Sequence, residues 1–306
     1  MSDAALRRAR SLDELETVLG SLLSPEGIAA GLGFVPDAGD VIVSSFAKCG
    51  TTWLQQIVHG LRSHGDLDFD DISRVVPWIE TAADLGIDLG APQPWSPRAF
   101  KSHLAWDLVP KPAVGQARYV VSLRDPRDAA LSFYRFFEGW FFEPGTIEIE
   151  AFVRRMFIER GRYYEHLESW WRHRDDDDVL LLAYEDMLDQ PSTTIERVAA
   201  FIGIEADSDL VVLAREQSSF AAMKANQSKY DDVLMRAHSE RVCALPPGSQ
   251  SSKVSTGDVG RHRFHFSDEI SAEFDAAWAS TLGRNLGLES YDAVLTALGH
   301  PVSDTR

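Results

Sequence analysis

Four short stretches of the chain concentrate β-branched and aliphatic residues and then break into small or polar ones. Asp40-Val41-Ile42-Val43-Ser44-Ser45 is the first, 98–104 the second, Tyr119-Val120-Val121-Ser122-Leu123 the third and Val179-Leu180-Leu181-Leu182-Ala183-Tyr184 the fourth. The last is almost wholly apolar, the pattern of a strand buried on both faces. Between them the period changes. Trp53, Leu54, Ile57, Val58 and Leu61 recur at helical spacing, as do the apolar residues of 129–137 after Pro126. Proline suits a first helical turn. Segments 151–158 and 163–171 read as covering helices, and 6–23 as an outer one. Strands alternating with helices predict an α/β fold: a central parallel sheet flanked by helices, in a single domain over 1–306. Residues 231–255, which include Pro246-Pro247-Gly248-Ser249, read as a mobile loop.

Composition narrows this little and charge narrows it more. With 44% hydrophobic residues the chain has material for a core, so global disorder is excluded. Against 47 Asp+Glu stand only 30 Lys+Arg, a formal net charge of −17. That balance argues against a nucleic-acid partner, whose backbone demands a basic face, and favours neutral or cationic ones. No apolar run reaches the roughly 18–20 residues of a membrane span. The charged first ten residues lack a secretory apolar region, so a cytoplasmic location is expected. Two cysteines, Cys49 and Cys243, make neither a disulfide framework nor a metal cluster, and no metal is expected. Asp175-Asp176-Asp177-Asp178 is read as a solvated connection, because four consecutive residues cannot all face one ion.

The turn after the first strand reads Lys48-Cys49-Gly50-Thr51-Thr52. A strand, a small-residue turn and a helix aim backbone N–H groups and the positive end of a helix dipole at an anion. Lys48 adds a point charge, and Thr51 and Thr52 add hydroxyl donors. The lysine precedes Gly50 by two residues, so this is not the Walker arrangement, and nothing here is placed to hold magnesium. An ordinary helix start capped by threonines explains the same residues. Arg124 ends the third strand, and Ser132 follows about two helical turns later. Together they offer a forked donor and a hydroxyl to a second phosphate. Pairing of Arg124 with Asp125 or Asp128 is the competing explanation.

With both sites in view, the chain resembles the cytosolic-type sulfotransferases that use 3′-phosphoadenosine 5′-phosphosulfate (PAPS). The family's Y-P-K-S-G-T-T-W stands here as Phe46-Ala47-Lys48-Cys49-Gly50-Thr51-Thr52-Trp53. Its strand-ending arginine with N-P-[RK]-D and a later serine is matched from Tyr119 through Arg124-Asp125-Pro126-Arg127-Asp128 to Ser132. Its K-[TS]-H, Y-E-D-[ML] and [TS]-S-F-x-x-M are matched by Lys101-Ser102-His103, Tyr184-Glu185-Asp186-Met187 and Ser218-Ser219-Phe220-Ala221-Ala222-Met223. Each is weak alone; their shared order is specific. The family's R-K-G-x-x-G departs here to Ser255-Thr256-Gly257-Asp258-Val259-Gly260, with Lys253, Arg261 and Arg263 as candidate replacements for the lost cations. Cys49 replaces a serine and is read as a small-residue exchange, because the chemistry needs no thiolate.

The resemblance implies a sheet of about five parallel strands around a phosphate loop. It also implies PAPS as co-substrate and a small-molecule hydroxyl acceptor. His103 is the implied general base, with Lys48 on the leaving oxygen and Lys101 on the sulfonate. Lys101 and His103, two apart on a strand, should share a face. Lys48, Cys49, Gly50, Thr51 and Thr52 would cradle the 5′-phosphate, and Arg124 and Ser132, with Gly257, the 3′-phosphate. Trp53, Tyr184, Ser218, Phe220 and Met223 would surround the nucleoside. Trp78 and Phe136 fall near the acceptor, which the aromatic run 133–142 suggests is an aromatic or lipophilic alcohol or phenol. Two rivals stay open: a P-loop nucleotide kinase, which would want G-K-[ST], and a nucleotide-binding protein without catalysis. Exchange from an aryl sulfate is a variant of the main reading. The sequence says nothing of oligomeric state.

Overall fold

A computed structural model describes residues 6–249, 252–254 and 257–300. Its centre is a four-stranded sheet in the order β2-β1-β3-β4. β1 spans Val41–Val43, β2 Ala99–Lys101, β3 Arg118–Leu123 and β4 Val179–Ala183, and every pairing is parallel. All four lie where the apolar stretches place them. The sheet of about five strands is four among the described residues.

Side chains alternate across the sheet, as the two-residue period of a strand requires. Ile42, Phe100, Tyr119, Val121 and Leu181 enter a core on one face, under the helices Pro126–Phe137, Arg162–Trp171 and Asp268–Trp278. Val41, Val43, Ala99, Val120 and Leu182 enter a second core on the other face, under Thr51–Ser63, Pro191–Ile202 and Ser208–Gln217. Each valine, leucine, isoleucine or phenylalanine among them contributes roughly 1.5–3 kcal/mol on burial.

Two expectations change. The outer helix is shorter than 6–23: it runs Leu12–Gly20, because the Ser11 side chain accepts the Glu14 N–H and starts the helix there. The expected loop 231–255 contains the helix Val233–Val242, which buries Met235, His238 and Ser239 against the rest of the molecule. Proline and glycine after Cys243 dominate that segment's composition and hide the helix before them. Residues 250, 251, 255 and 256 lie outside the described residues, so the altered Ser255-Thr256 pair is not placed. No helix among the described residues is long and apolar enough to cross a membrane.

Sheet order decides where a ligand can sit. The connection from β1 leads to β2 on one side, and that from β3 leads to β4 on the other. The crevice between the carboxyl ends of β1 and β3 is therefore a topological switch point, where open parallel sheets bind ligands.

Candidate active site

All four carboxyl ends open on one cavity of about 790 Å³. Lys48 follows β1, Lys101 and His103 end and follow β2, Arg124 follows β3 and Tyr184 follows β4; all five line it.

The turn after β1 is set by two buried serines. The Ser122 hydroxyl on β3 donates to the Cys49 carbonyl at 2.5 Å, so the Ser45 hydroxyl must supply the proton of the 2.8 Å Ser45–Ser122 bond. Lys48 and Gly50 take left-handed backbone, at φ 69° and 99°. For lysine this costs on the order of 1 kcal/mol. At Gly50 there is no room either: a Cβ would lie 3.0 Å from the Tyr184 ring. Gly50 makes no side-chain cap to the helix Thr51–Ser63, whose first N–H groups have no intrahelical acceptor. Thr51 Oγ1 is buried without a partner. The alternative of a threonine-capped helix start is therefore not what the structure shows. Cys49 contributes little here. Its thiol faces the core, burial pushes it up to about 12, and its N–H already donates to Phe46.

Arg124 is equally unlike its bland alternative. Asp125 caps its own helix and Asp128 holds His262, so neither pairs with it. The guanidinium donates to the carbonyls of Lys48, at 3.2 Å, and Asp258, at 2.8 Å, and lies 4.3 Å over the Tyr184 ring. Its Nε is buried without a partner. Ser132, farther along the helix, lines the same cavity.

The lysines are held differently. Lys48 Nζ stands 4.0 Å over Phe136 and Lys101 Nζ 3.7 Å over Trp78, contacts in which the ring face attracts the cation. Burial first, and the charge of Lys253 second, push both down to about 7, while Asp232 opposes the fall.

β2 ends at Lys101, so His103 is not on the strand, yet both side chains reach the cavity. His103 Nδ1 lies 2.6 Å from the Ser45 carbonyl. A carbonyl only accepts, so Nδ1 carries the proton and Nε2 is left as the accepting nitrogen. The His103 backbone N–H donates to Glu80 Oε1 at 2.7 Å, and the Trp78 ring stands edge-on at 5.1 Å. Burial, and then the charge of Lys101, hold the imidazole well below its usual range.

Trp53 and Tyr184 meet edge-to-face at 5.7 Å, and Trp53 Nε1 has no partner. Tyr184 donates to the Gly257 carbonyl at 3.3 Å. Ser218 and Met223 are buried beside them, while Phe220 is 47% exposed at the rim. Of the candidate cations near the altered segment, Lys253 and Arg261 line the cavity and Arg263 does not. Arg261 is ion-paired to Asp258 at 3.0 Å.

Sequence reasoning passed over Glu80 and Asp232, and read Trp140 and Phe141 only as part of the aromatic run 133–142. Glu80 stood two residues after Trp78, but only the β2 pairing brings it to His103. Asp232 lay in the segment taken for a loop. Among the described residues no group of three or more His, Cys, Asp and Glu side chains is arranged to hold a metal.

A family model of the sulfotransferase domain matches residues 38–285. Human Sulfotransferase 1C2 is 26% identical over 277 residues, which is 86% of this chain and 90% of that protein. Rat Sulfotransferase 1 family member D1 is 32% identical over 208 residues, 64% of this chain and 70% of that protein. Among solved structures, retinol dehydratase in complex with androsterone and the inactive cofactor PAP superposes with a TM-score of 0.66. It is 20% identical and covers 90% of this chain and 95% of its own. Mouse sulfotransferase SULT7A1 complexed with PAP gives 0.66 at 23% identity, covering 91% and 94%.

Proposed function

The chain belongs to the sulfotransferase family and is a sulfotransferase, and from that premise we propose that it moves a sulfuryl group from PAPS to the hydroxyl of a small aromatic or lipophilic acceptor. The observation that carries this is convergence: Lys48, Lys101, His103 and Arg124 leave the ends of three different strands and reach one cavity.

The residues present fit such a donor. Arg124 Nε, Thr51 Oγ1 and Trp53 Nε1 are buried polar atoms without partners, and Gly50 leaves the loop without a side chain in the way. A buried unpaired donor costs about 1–3 kcal/mol, which an anion would recover. Thr51, Thr52 and the first N–H groups of their helix hold the 5′-phosphate. Arg124 and Ser132, with Gly257, hold the 3′-phosphate, and Trp53, Tyr184, Ser218, Phe220 and Met223 enclose the nucleoside. The structures of retinol dehydratase and SULT7A1, solved with PAP, support that class of donor.

The donor supplies an activated sulfuryl group on a leaving phosphate. His103 Nε2 accepts the acceptor's hydroxyl proton; Nδ1, fixed on Ser45, cannot. Lys48 neutralises charge developing on the leaving oxygen, and Lys101 steadies the sulfonate. Both lysines sit near neutrality in the free protein, and the arriving anion restores their charge. Trp78 and Phe136 form an apolar wall with Trp140 and Phe141, whose rings stack at 4.7 Å. Such a wall suits a flat or lipophilic alcohol or phenol. The androsterone and retinol bound by retinol dehydratase are ligands of that kind.

The test is incubation with labelled PAPS and a panel of phenols, steroid-like alcohols and charged glycans, read by mass spectrometry. An added sulfonate on phenols or lipophilic alcohols is expected; sulfation of glycans alone would overturn the acceptor class.

A further inference from the structure

We infer that Lys253, held by Asp232, is a third cation of the transfer site, directed at the transferred sulfonate; this rests on the donor proposed above. The Lys253 ammonium is ion-paired to Asp232 Oδ1, with side chains only 9% and 3% exposed. Both residues line the cavity.

A buried ion pair is a weak source of stability, because desolvation offsets the attraction. Its position here is what matters. The charge of Lys253 bears on Lys48, Lys101 and His103 alike, and its ammonium is an immediate neighbour of that of Lys101. Asp232 answers Lys48, Lys101 and Lys253 together, with Asp231 and Glu80 also close, so the lysines share their countercharge. Such a cluster calls for an anion.

The geometry around the pair fixes the ammonium from two directions. Asp231 Oδ1 accepts the Lys253 N–H at 3.0 Å and the Ser252 hydroxyl at 2.9 Å, which pins the backbone. Asp232 takes left-handed backbone at φ 53°, where the helix Val233–Val242 begins. Arg261 also lines the cavity, but its ion pair is half-exposed and lies beside the Arg124 end.

The two phosphates are served by the helix start and by Arg124. Lys253 stands instead with Lys48, Lys101 and His103, where sulfur passes from the leaving oxygen to the acceptor. There a bond forms between the acceptor oxygen and sulfur as the bond from sulfur to the bridging oxygen breaks. The acceptor proton goes to His103 Nε2, and the electron pair of the broken bond stays on the phosphate. The sulfonate oxygens remain anionic throughout, and Lys253 exchanges its contact with Asp232 for them.

PAP and PAPS differ by that sulfonate, so calorimetry of both ligands without acceptor reads the contact directly. Lys253→Met should weaken PAPS by about ten- to a hundredfold, the worth of one charge-assisted hydrogen bond. PAP affinity should stay unchanged, which also reports that the variant is folded. Lys253→Arg should recover part of the PAPS preference, and kcat should fall in Lys253→Met with little change in acceptor KM. Equal loss of both ligands, or no loss of PAPS, overturns the inference and leaves the donor assignment standing. Failure of the unaltered protein to bind either ligand overturns the donor assignment and this inference with it.

Discussion

The two ends of the cavity hold positive charge by opposite means. At the Arg124 end the cation is delocalised, laid on the Tyr184 ring and steered by two carbonyls. A guanidinium stays charged at any physiological pH. At the lysine end the cations are compact, packed on Phe136 and Trp78, and burial has brought Lys48 and Lys101 to the edge of deprotonation. The first end suits a permanent anchor. The second suits a place where charge must appear as chemistry proceeds, because desolvated ammonium groups gain most when an anion arrives. With the donor and acceptor proposed above, the difference would separate binding from catalysis within one cavity.

The sharpest way to break that division is at its catalytic end. His103→Ala should lower turnover by about 10²–10⁴-fold, the range of general-base removal, with PAP binding intact by calorimetry. Turnover at the unaltered rate would remove His103 from the mechanism. Lys48→Met should cost about 10²–10³-fold in kcat and weaken PAPS as well. Arg124→Ala should behave in the converse way. PAP affinity should drop about ten- to a hundredfold, while kcat at saturating donor moves by only about a factor of two. If both variants lost kcat and affinity in the same proportion, the two ends would not be distinct.

Acidity sharpens the same contrast. Burial pushes Lys48 and Lys101 down to about 7, and a bound anion should raise them again. The protonated forms bind, so PAP affinity should be full below about 7 and fall as pH rises through it, with proton uptake on binding. Calorimetry in buffers of different ionisation enthalpy counts those protons. Arg124→Ala should keep the pH dependence, and Lys48→Met should blunt it. The smallest effect belongs to the rim. Phe220→Ala should weaken PAP by about fivefold, near 1 kcal/mol for a lost base–aromatic contact, without changing kcat.

Legibility followed locality. Lys48 to Trp53 is one contiguous stretch, so its strand–turn–helix geometry could be read from the order of residues alone. Arg124 and Ser132 are two helical turns apart and were nearly as plain. Glu80 under His103, and Asp232 against Lys253, join residues 23 and 21 positions apart through pairings that no local period records. The helix Val233–Val242 was obscured by the proline and glycine that follow it, and with it went Asp232.

Charge shows the same boundary from the other side. A net −17 is a sum over the whole chain, whose charges farther apart than about 8–10 Å are screened from one another at ordinary salt. It could not foresee eight lysines and arginines lining one cavity. What the sequence by itself determined was the set of strands, the parallel sheet with its covering helices, and the family, because the patterns and motifs that carry each depend on neighbours along the chain. What only the tertiary structure decided was the proton on His103 Nδ1, the near-neutral lysines and the Lys253–Asp232 pair. Those depend on burial and on groups brought together across the sheet, where the loss of water sets the energy of every charge.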